Sequence, residues 1–121
     1  MSTPLLICDD SNMARKQVAR ALPESWDVEV SFATNGTEAL SAIRAGLGEV
    51  VLLDLTMPEM DGYAVLEAVA AEQLKCLVIV ISGDIQPAAR ERVTALGAID
   101  FIKKPVSAAT LEHTLQTYGL L

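Results

Sequence analysis

Four places along the chain carry residues that could do chemistry together: Asp9-Asp10, Asp54, Ser82 and Lys104-Pro105. The first three follow apolar runs, Pro4 to Cys8, Val50-Val51-Leu52-Leu53 and Leu77-Val78-Ile79-Val80-Ile81, and the last follows the short Asp100 to Lys103 strand. A carboxylate where a buried strand surfaces is either a loop cap bonding nearby backbone N–H groups or a reactive group on a rigid element. Caps and turns account for any one of these positions, but poorly for all four at matching strand ends. Three clustered carboxylates repel one another, and a hard divalent cation relieves that repulsion; oxygen-only ligands select Mg2+ over zinc. Lys104 adds a mobile positive charge for an anion. Carboxylate nucleophile, metal, ammonium and hydroxyl are what transfer of a phosphoryl group to Asp54 requires: in-line positioning and neutralised oxygen charge.

Those residues must be positioned by the elements between them. Pro4 to Cys8 reads as a buried strand. Ser11 then caps a helix to about Leu22, with Met13, Val18, Ala21 and Leu22 on its apolar side, and Pro23 stops it. Val28, Val30 and Phe32 alternate as a strand with one more exposed face, as at a sheet edge. Asn35-Gly36 turns the chain into a helix from Thr37 and Glu38 through Ala39, Leu40 and Ile43 to Gly46. The Val50–Asp54 strand follows, and then a loop punctuated by Pro58 and Gly62. A helix from Tyr63 to Ala71 keeps Val65, Leu66 and Val69 at core spacing. The Leu77–Ile81 strand ends in Ser82-Gly83-Asp84. Pro87 opens a helix ending near Gly97, Asp100 to Lys103 forms a last strand, and Ser107 caps a helix to about Tyr118.

Strand and helix therefore alternate five times, (βα)5, in an α/β chain. Strands apolar throughout call for a parallel sheet covered on both faces. With doubly wound order 2-1-3-4-5, Asp54 is central, the acidic pair lies on one side and Ser82 on the other. Lys104 comes from two strands away, roughly 10 Å of sheet, within reach of its side chain.

The 121 residues read as one domain over 1–121, with no linker or repeat. A net charge of −7 argues against direct nucleic-acid binding through a basic face. No run is long enough to span a membrane and no signal-peptide pattern opens the chain, so a cytoplasmic protein is expected. Cys8 and Cys76 have no metal-site spacing and read as buried or inert thiols. His113 has no base partner beside it and reads as a surface helix residue. Gly119-Leu120-Leu121 offers either a helix-terminating return of the chain or the start of a connection.

As an ordered set, Asp9-Asp10, Asp54, Met57-Pro58-x-Met60-Asp61-Gly62, Ser82 and Lys104-Pro105 resemble the receiver domains of bacterial two-component response regulators, the CheY-like family. The resemblance covers the whole chain. It implies that Asp54 is the phosphoacceptor, and that Asp10, Asp54 and the Thr56 backbone carbonyl bind Mg2+, with Asp9 acting partly through water. It implies that Ser82 bonds one phosphoryl oxygen and Lys104 pairs with another. Phe101 matches the aromatic switch position, and with Ser82 it would report to the face made by the fourth helix, last strand and last helix. Phe101 lacks the phenol frequent in the family, so inward and outward rings are expected to mix. Thr56 and Asp84 would flank the route of an attacking water, and the Lys104–Pro105 peptide would be cis. The implied partners are a sensor histidine kinase or phosphotransfer protein upstream, and an effector protein or fused output domain downstream. Such a chain is not an enzyme on outside substrates; it catalyses its own phosphorylation and dephosphorylation.

Three other readings compete. A flavodoxin-like carrier would need a hydroxyl- and glycine-rich phosphate cradle after the first strand, where Asp9-Asp10 would repel a flavin phosphate. A haloacid-dehalogenase-type phosphatase needs a second Asp two residues after its nucleophile, where this chain has Thr56. A pseudo-receiver interaction module without phosphoryl turnover usually loses part of the acidic set or the lysine, and this chain keeps both.

Overall fold

The computed structural model describes residues 2–83 and 86–121. Five strands, β1 (Thr3–Cys8), β2 (Val28–Ala33), β3 (Val50–Leu53), β4 (Leu77–Ser82) and β5 (Asp100–Lys103), alternate with five helices. The helices are α1 (Asn12–Ala21), α2 (Gly36–Arg44), α3 (Gly62–Ala71), α4 (Pro87–Ala95) and α5 (Ala108–Thr117). All strand pairs are parallel, in the order β2-β1-β3-β4-β5. This is the α/β architecture that the apolar runs call for, in the expected order.

Side-chain alternation sorts the strands into two cores. Leu5 and Ile7 of β1, Val50 and Leu52 of β3, Ile79 and Ile81 of β4 and Ile102 of β5 face α1 and α5, meeting Val18, Leu111 and Leu115. Leu6, Cys8, Val51, Leu53, Val78, Val80 and Phe101 face the other way, meeting Ala39 and Ile43 of α2, Val65 and Leu66 of α3 and Val93 of α4. Each fully buried side chain of this size contributes about 1.5–3 kcal/mol, so the two faces together hold the strand ends rigid.

Helix starts at Ser11 and Ser107 follow the expected capping, and Asn35 and Asp61, read as turn and loop residues, turn out to cap as well. Ser11, Asn35, Asp61 and Ser107 each accept a backbone N–H from three residues on. Pro87 opens α4, where no side-chain cap is made. Gly119 takes a left-handed φ of +70°, and the Leu120 N–H donates to the Leu115 carbonyl at 2.9 Å, turning Leu120 back onto the core. The Lys104–Pro105 peptide is cis.

Two expected placements differ. Met13 is 70% exposed rather than on the apolar side of α1. Five residues separate it from Val18, about 140° around a helix, so the two cannot share a face. Phe32 is 53% exposed, at the rim of the edge strand beside Asn12, Arg15 and Lys16, while its neighbour Ala33 is buried. The alternation expected in β2 therefore holds for Val28 and Val30 and fails at the end of the strand. Cys8 is buried and Cys76 half-buried, both unpaired by disulfide, and His113 is exposed. Among the described residues, no helix is long and apolar enough to cross a membrane.

Candidate functional site

One backbone hydrogen bond beyond each strand ties a chemistry-bearing residue to its neighbour. The Asp9 N–H donates to the Ala33 carbonyl at 3.1 Å, the Asp54 N–H to the Cys8 carbonyl at 3.0 Å, and the Lys104 N–H to the Ser82 carbonyl at 2.8 Å. The parallel ladders thus run one residue past β1, β3 and β5. They carry Asp9, Asp54 and Lys104 on the last rungs of a buried sheet rather than on loose loops.

At those rungs the carboxylates converge. Asp9, Asp10 and Asp54 each present an oxygen within 4.8 Å of the others. Asp9 and Asp54 are buried and Asp10 is exposed. Lys104 reaches in from β5, its Nζ 2.7 Å from Asp9 Oδ2 and 3.1 Å from Asp54 Oδ1. The other Asp9 oxygen, Oδ1, accepts the Ser11 N–H at 2.9 Å, so this carboxylate is held at both oxygens. Ser82, buried, ends β4 next to Lys103 in the ladder. Thr56 is exposed in the loop two residues beyond Asp54. Asp84, expected beside the water route, lies outside the described residues.

The electrostatics follow from this packing. Burial, then repulsion from Asp9, raises the Asp54 pKa above the ordinary carboxylate range, against the attraction of Lys104. Burial alone would disfavour the Lys104 ammonium, but hydrogen bonds and attraction to Asp9 and Asp54 outweigh it and leave its pKa raised. An acidic pocket with one ammonium is poised for a cation first and an anion second.

An oxygen-only donor set of this kind suits a hard cation. Octahedral Mg2+ would bring adjacent ligand oxygens to about 3 Å at its short bond lengths, so carboxylates already within 4.8 Å of one another would draw together around it. The residues present fit the ion.

Several residues around the site were not legible beforehand. The Arg15 guanidinium donates to the Asp9 carbonyl at 2.7 Å, pinning the end of β1 to α1. The signal was available: a cation six residues past Asp9, on a helix with no acidic residue in its first turn. Gly62 lets α3 start against the Asp54 backbone, where an added Cβ would stand 2.5 Å from the Asp54 carbonyl oxygen. Phe101 is 7% exposed on the opposite face of the sheet, with the Arg90 guanidinium carbon 5.1 Å from its ring centroid. The ring stands inward in this conformation. Arg90 supplies a cation–π cover that a missing phenol did not suggest.

Comparison with known proteins points the same way as the geometry. The family model described as the response regulator receiver domain matches residues 5–116. The chain is 37% identical over 110 residues to protein-glutamate methylesterase/protein-glutamine glutaminase 3 of Rhodospirillum rubrum, covering 90% of this chain and 30% of that protein. Among solved structures it is similar to the signal receiver domain of the response regulator NarL from Mycobacterium tuberculosis. That match has 33% identity and a TM-score of 0.87 and covers 97% of this chain and 95% of that one. It also resembles the chemotaxis protein CheY4 of Vibrio cholerae, at 27% identity and a TM-score of 0.84, covering 97% and 98% of the two chains. The chain spans about three-tenths of the length of the curated relatives it matches.

Proposed function

Because the chain belongs to the family of response regulator receiver domains, we propose that it takes a phosphoryl group onto Asp54 and relays its presence to an output surface. The observation that carries this reading is Lys104 meeting both Asp9 and Asp54 at the edge of a three-carboxylate cluster. An Asp54 carboxylate oxygen attacks the phosphorus in line, a P–O bond forms, and the bond from phosphorus to the donor breaks on the far side. With a phosphohistidine donor the P–N electron pair goes to the ring, which leaves as neutral imidazole because its other nitrogen already carries a proton; with an acyl phosphate the leaving group is a carboxylate. Asp10, Asp54 and the Thr56 carbonyl would hold Mg2+, with Asp9 partly through water, and the ion would neutralise phosphoryl oxygens as the bond order shifts. Lys104 turns from the carboxylates to one phosphoryl oxygen, and the Ser82 hydroxyl donates to another.

Readout is assigned to the face made by α4, β5 and α5, with Ser82 drawn towards the phosphoryl group and Phe101 as the packing element behind it. The donor is a sensor histidine kinase or a phosphotransfer protein. The receiver of the signal is an effector or a fused output domain. The relatives named as methylesterases and glutaminases favour the second arrangement, since the match covers only part of each.

Intact-mass measurement after incubation with a small phosphodonor and Mg2+ tests the reading. One added phosphoryl group is expected on the wild-type chain, and none on Asp54→Asn or in the presence of a chelator. Equal labelling of Asp54→Asn would refute the acceptor assignment, and an unlabelled wild type would favour the pseudo-receiver module.

A further inference from the structure

We propose that Gly36 is a positioning residue for the loop that follows Asp54, and the inference rests on the phosphoacceptor reading above. Gly36 is the first residue of α2, two elements away in sequence from that loop. A Cβ built there would stand 2.1 Å from the Met60 carbonyl oxygen and 2.7 Å from both the Met60 carbonyl carbon and Cβ. Ordinary Cβ contacts begin above 3 Å, and the obstacle is backbone rather than the movable end of a side chain. Its role is space: the first turn of α2 is pressed flat against the peptide of Met60.

Neither side can yield easily. On the helix side, Asn35 Oδ1 accepts the Glu38 N–H at 2.8 Å, and Glu38 Oε1 accepts both the N–H and the hydroxyl of Thr34 at 2.7 Å. This reciprocal cap fixes the turn that carries Gly36. On the loop side, the chain is wound tightly between Leu55 and Gly62. The Gly62 N–H donates to the Leu55 carbonyl at 3.0 Å, the Met60 N–H to the Pro58 carbonyl at 2.7 Å, and Glu59 sits at a left-handed φ of +66°. Gly62 closes the other flank against the Asp54 carbonyl oxygen. A loop this short and this bonded moves as a unit. Gly36 pressing on Met60 therefore sets where Thr56 lies relative to Asp54.

A methyl group at position 36 needs the Met60 peptide to retreat by roughly 1 Å. Productive constellations are held to about 0.5 Å, and misplacement of about 1 Å costs on the order of 100-fold in rate. Gly36→Ala should therefore fold, lose roughly 10- to 100-fold in the maximal rate of Asp54 labelling, and leave the half-saturating phosphodonor concentration nearly unchanged. In calorimetric titration with Mg2+ alone it should bind the ion at least 5-fold more weakly.

The test compares wild type, Gly36→Ala, Asn35→Ala (which loosens the same turn) and Ile43→Val, a mild core change in the same helix. Mg2+ titration, labelling kinetics and the metal-free amide NMR shifts of residues 55–57 and 59–62 are recorded well below each melting temperature. The expected result is displaced loop shifts and weaker Mg2+ binding for Gly36→Ala, a smaller change of the same sign for Asn35→Ala, and neither for Ile43→Val. Loop shifts and Mg2+ affinity at wild-type values in a folded Gly36→Ala overturn the proposal. If Gly36→Ala does not fold, the same wild-type values in Asn35→Ala overturn it. A wild type that binds no Mg2+ and takes no phosphoryl group instead overturns the phosphoacceptor reading, while the metal-free shifts still report whether Gly36 holds the loop.

Discussion

Lys104 lies closer to Asp9 than to Asp54, with its Nζ 2.7 Å from Asp9 Oδ2 and 3.1 Å from Asp54 Oδ1. The ammonium is thus shared, and the carboxylate assigned as nucleophile has the longer of the two contacts. Asp9 both competes for the lysine and repels Asp54, while Lys104 offsets part of that repulsion.

From that sharing comes an ordered set of Asp54 pKa values in metal-free protein. Asp9→Asn removes the repulsion and frees Lys104 for Asp54, so the Asp54 pKa falls below the wild-type value. Lys104→Met removes the attraction, so it rises above it. Carboxyl-carbon NMR titration of the three proteins reads the order directly. Wild type outside the interval between the two variants would show that the shared ammonium does not govern Asp54.

The pH dependence follows with its sign. A raised Asp54 pKa means that the folded state holds this proton more tightly than the unfolded chain. This group's contribution to metal-free stability therefore falls as pH rises from the ordinary carboxylate range, about 3.9, through the raised value. The raised Lys104 pKa works at the other end: its stabilisation is complete below the ordinary lysine value of about 10.4 and is lost as pH rises through the folded value. Labelling needs ionised Asp54, so at low Mg2+ its acid limb should stand above the ordinary carboxylate range. Raising Mg2+ should move that limb to lower pH, because metal and proton compete for the same oxygens. Labelling rates across pH at two Mg2+ concentrations check both statements.

Three carboxylates within 4.8 Å repel one another in metal-free protein, and a bound cation stabilises only the folded arrangement. At Mg2+ about 100-fold above its dissociation constant the gain is about 2.7 kcal/mol, a rise of roughly 10 °C in Tm for a domain of this size. Differential scanning calorimetry with Mg2+ and then with excess chelator measures it. Asp10→Asn should raise the metal-free Tm slightly and remove most of the Mg2+ response.

The Arg90 guanidinium over the Phe101 ring is an exposed cation on a buried aromatic. Arg90→Ala should cost about 0.5–1 kcal/mol, whereas Phe101→Ala opens the core and should cost about 3–5 kcal/mol. If Phe101 is the packing element behind Ser82, its ring NMR signals shift when a phosphoryl mimic fills the site at saturating Mg2+. The shift should be larger in Arg90→Ala, where the cover is gone. An unchanged ring environment at full occupancy places the switch elsewhere.

Much of this molecule was written in local patterns. Apolar runs broken by Asp, Ser or Lys mark where strands stop. In a parallel sheet every strand stops on the same edge, so chain direction alone gathers Asp9, Asp54, Ser82 and Lys104 there. Two caps were legible for the same reason, since Ser11 and Ser107 act on N–H groups three residues away, whereas Asn35 read as a turn residue and proved to cap as well. What only the tertiary structure decided are contacts between elements distant in sequence. The preference of Lys104 for Asp9, the Arg15 bond to the Asp9 carbonyl, the Arg90 cover on Phe101 and the seat of Gly36 on Met60 all depend on how helices lie across the sheet to within about 1 Å. Periodicity gives a helix its buried face but leaves open its height and tilt, which are settled by the packing of the whole core. Phe32 marks the same boundary, because a residue at the rim of a face is covered or bare according to where its neighbour ends, whereas the exposure of Met13 already followed from its angle to Val18 around the helix.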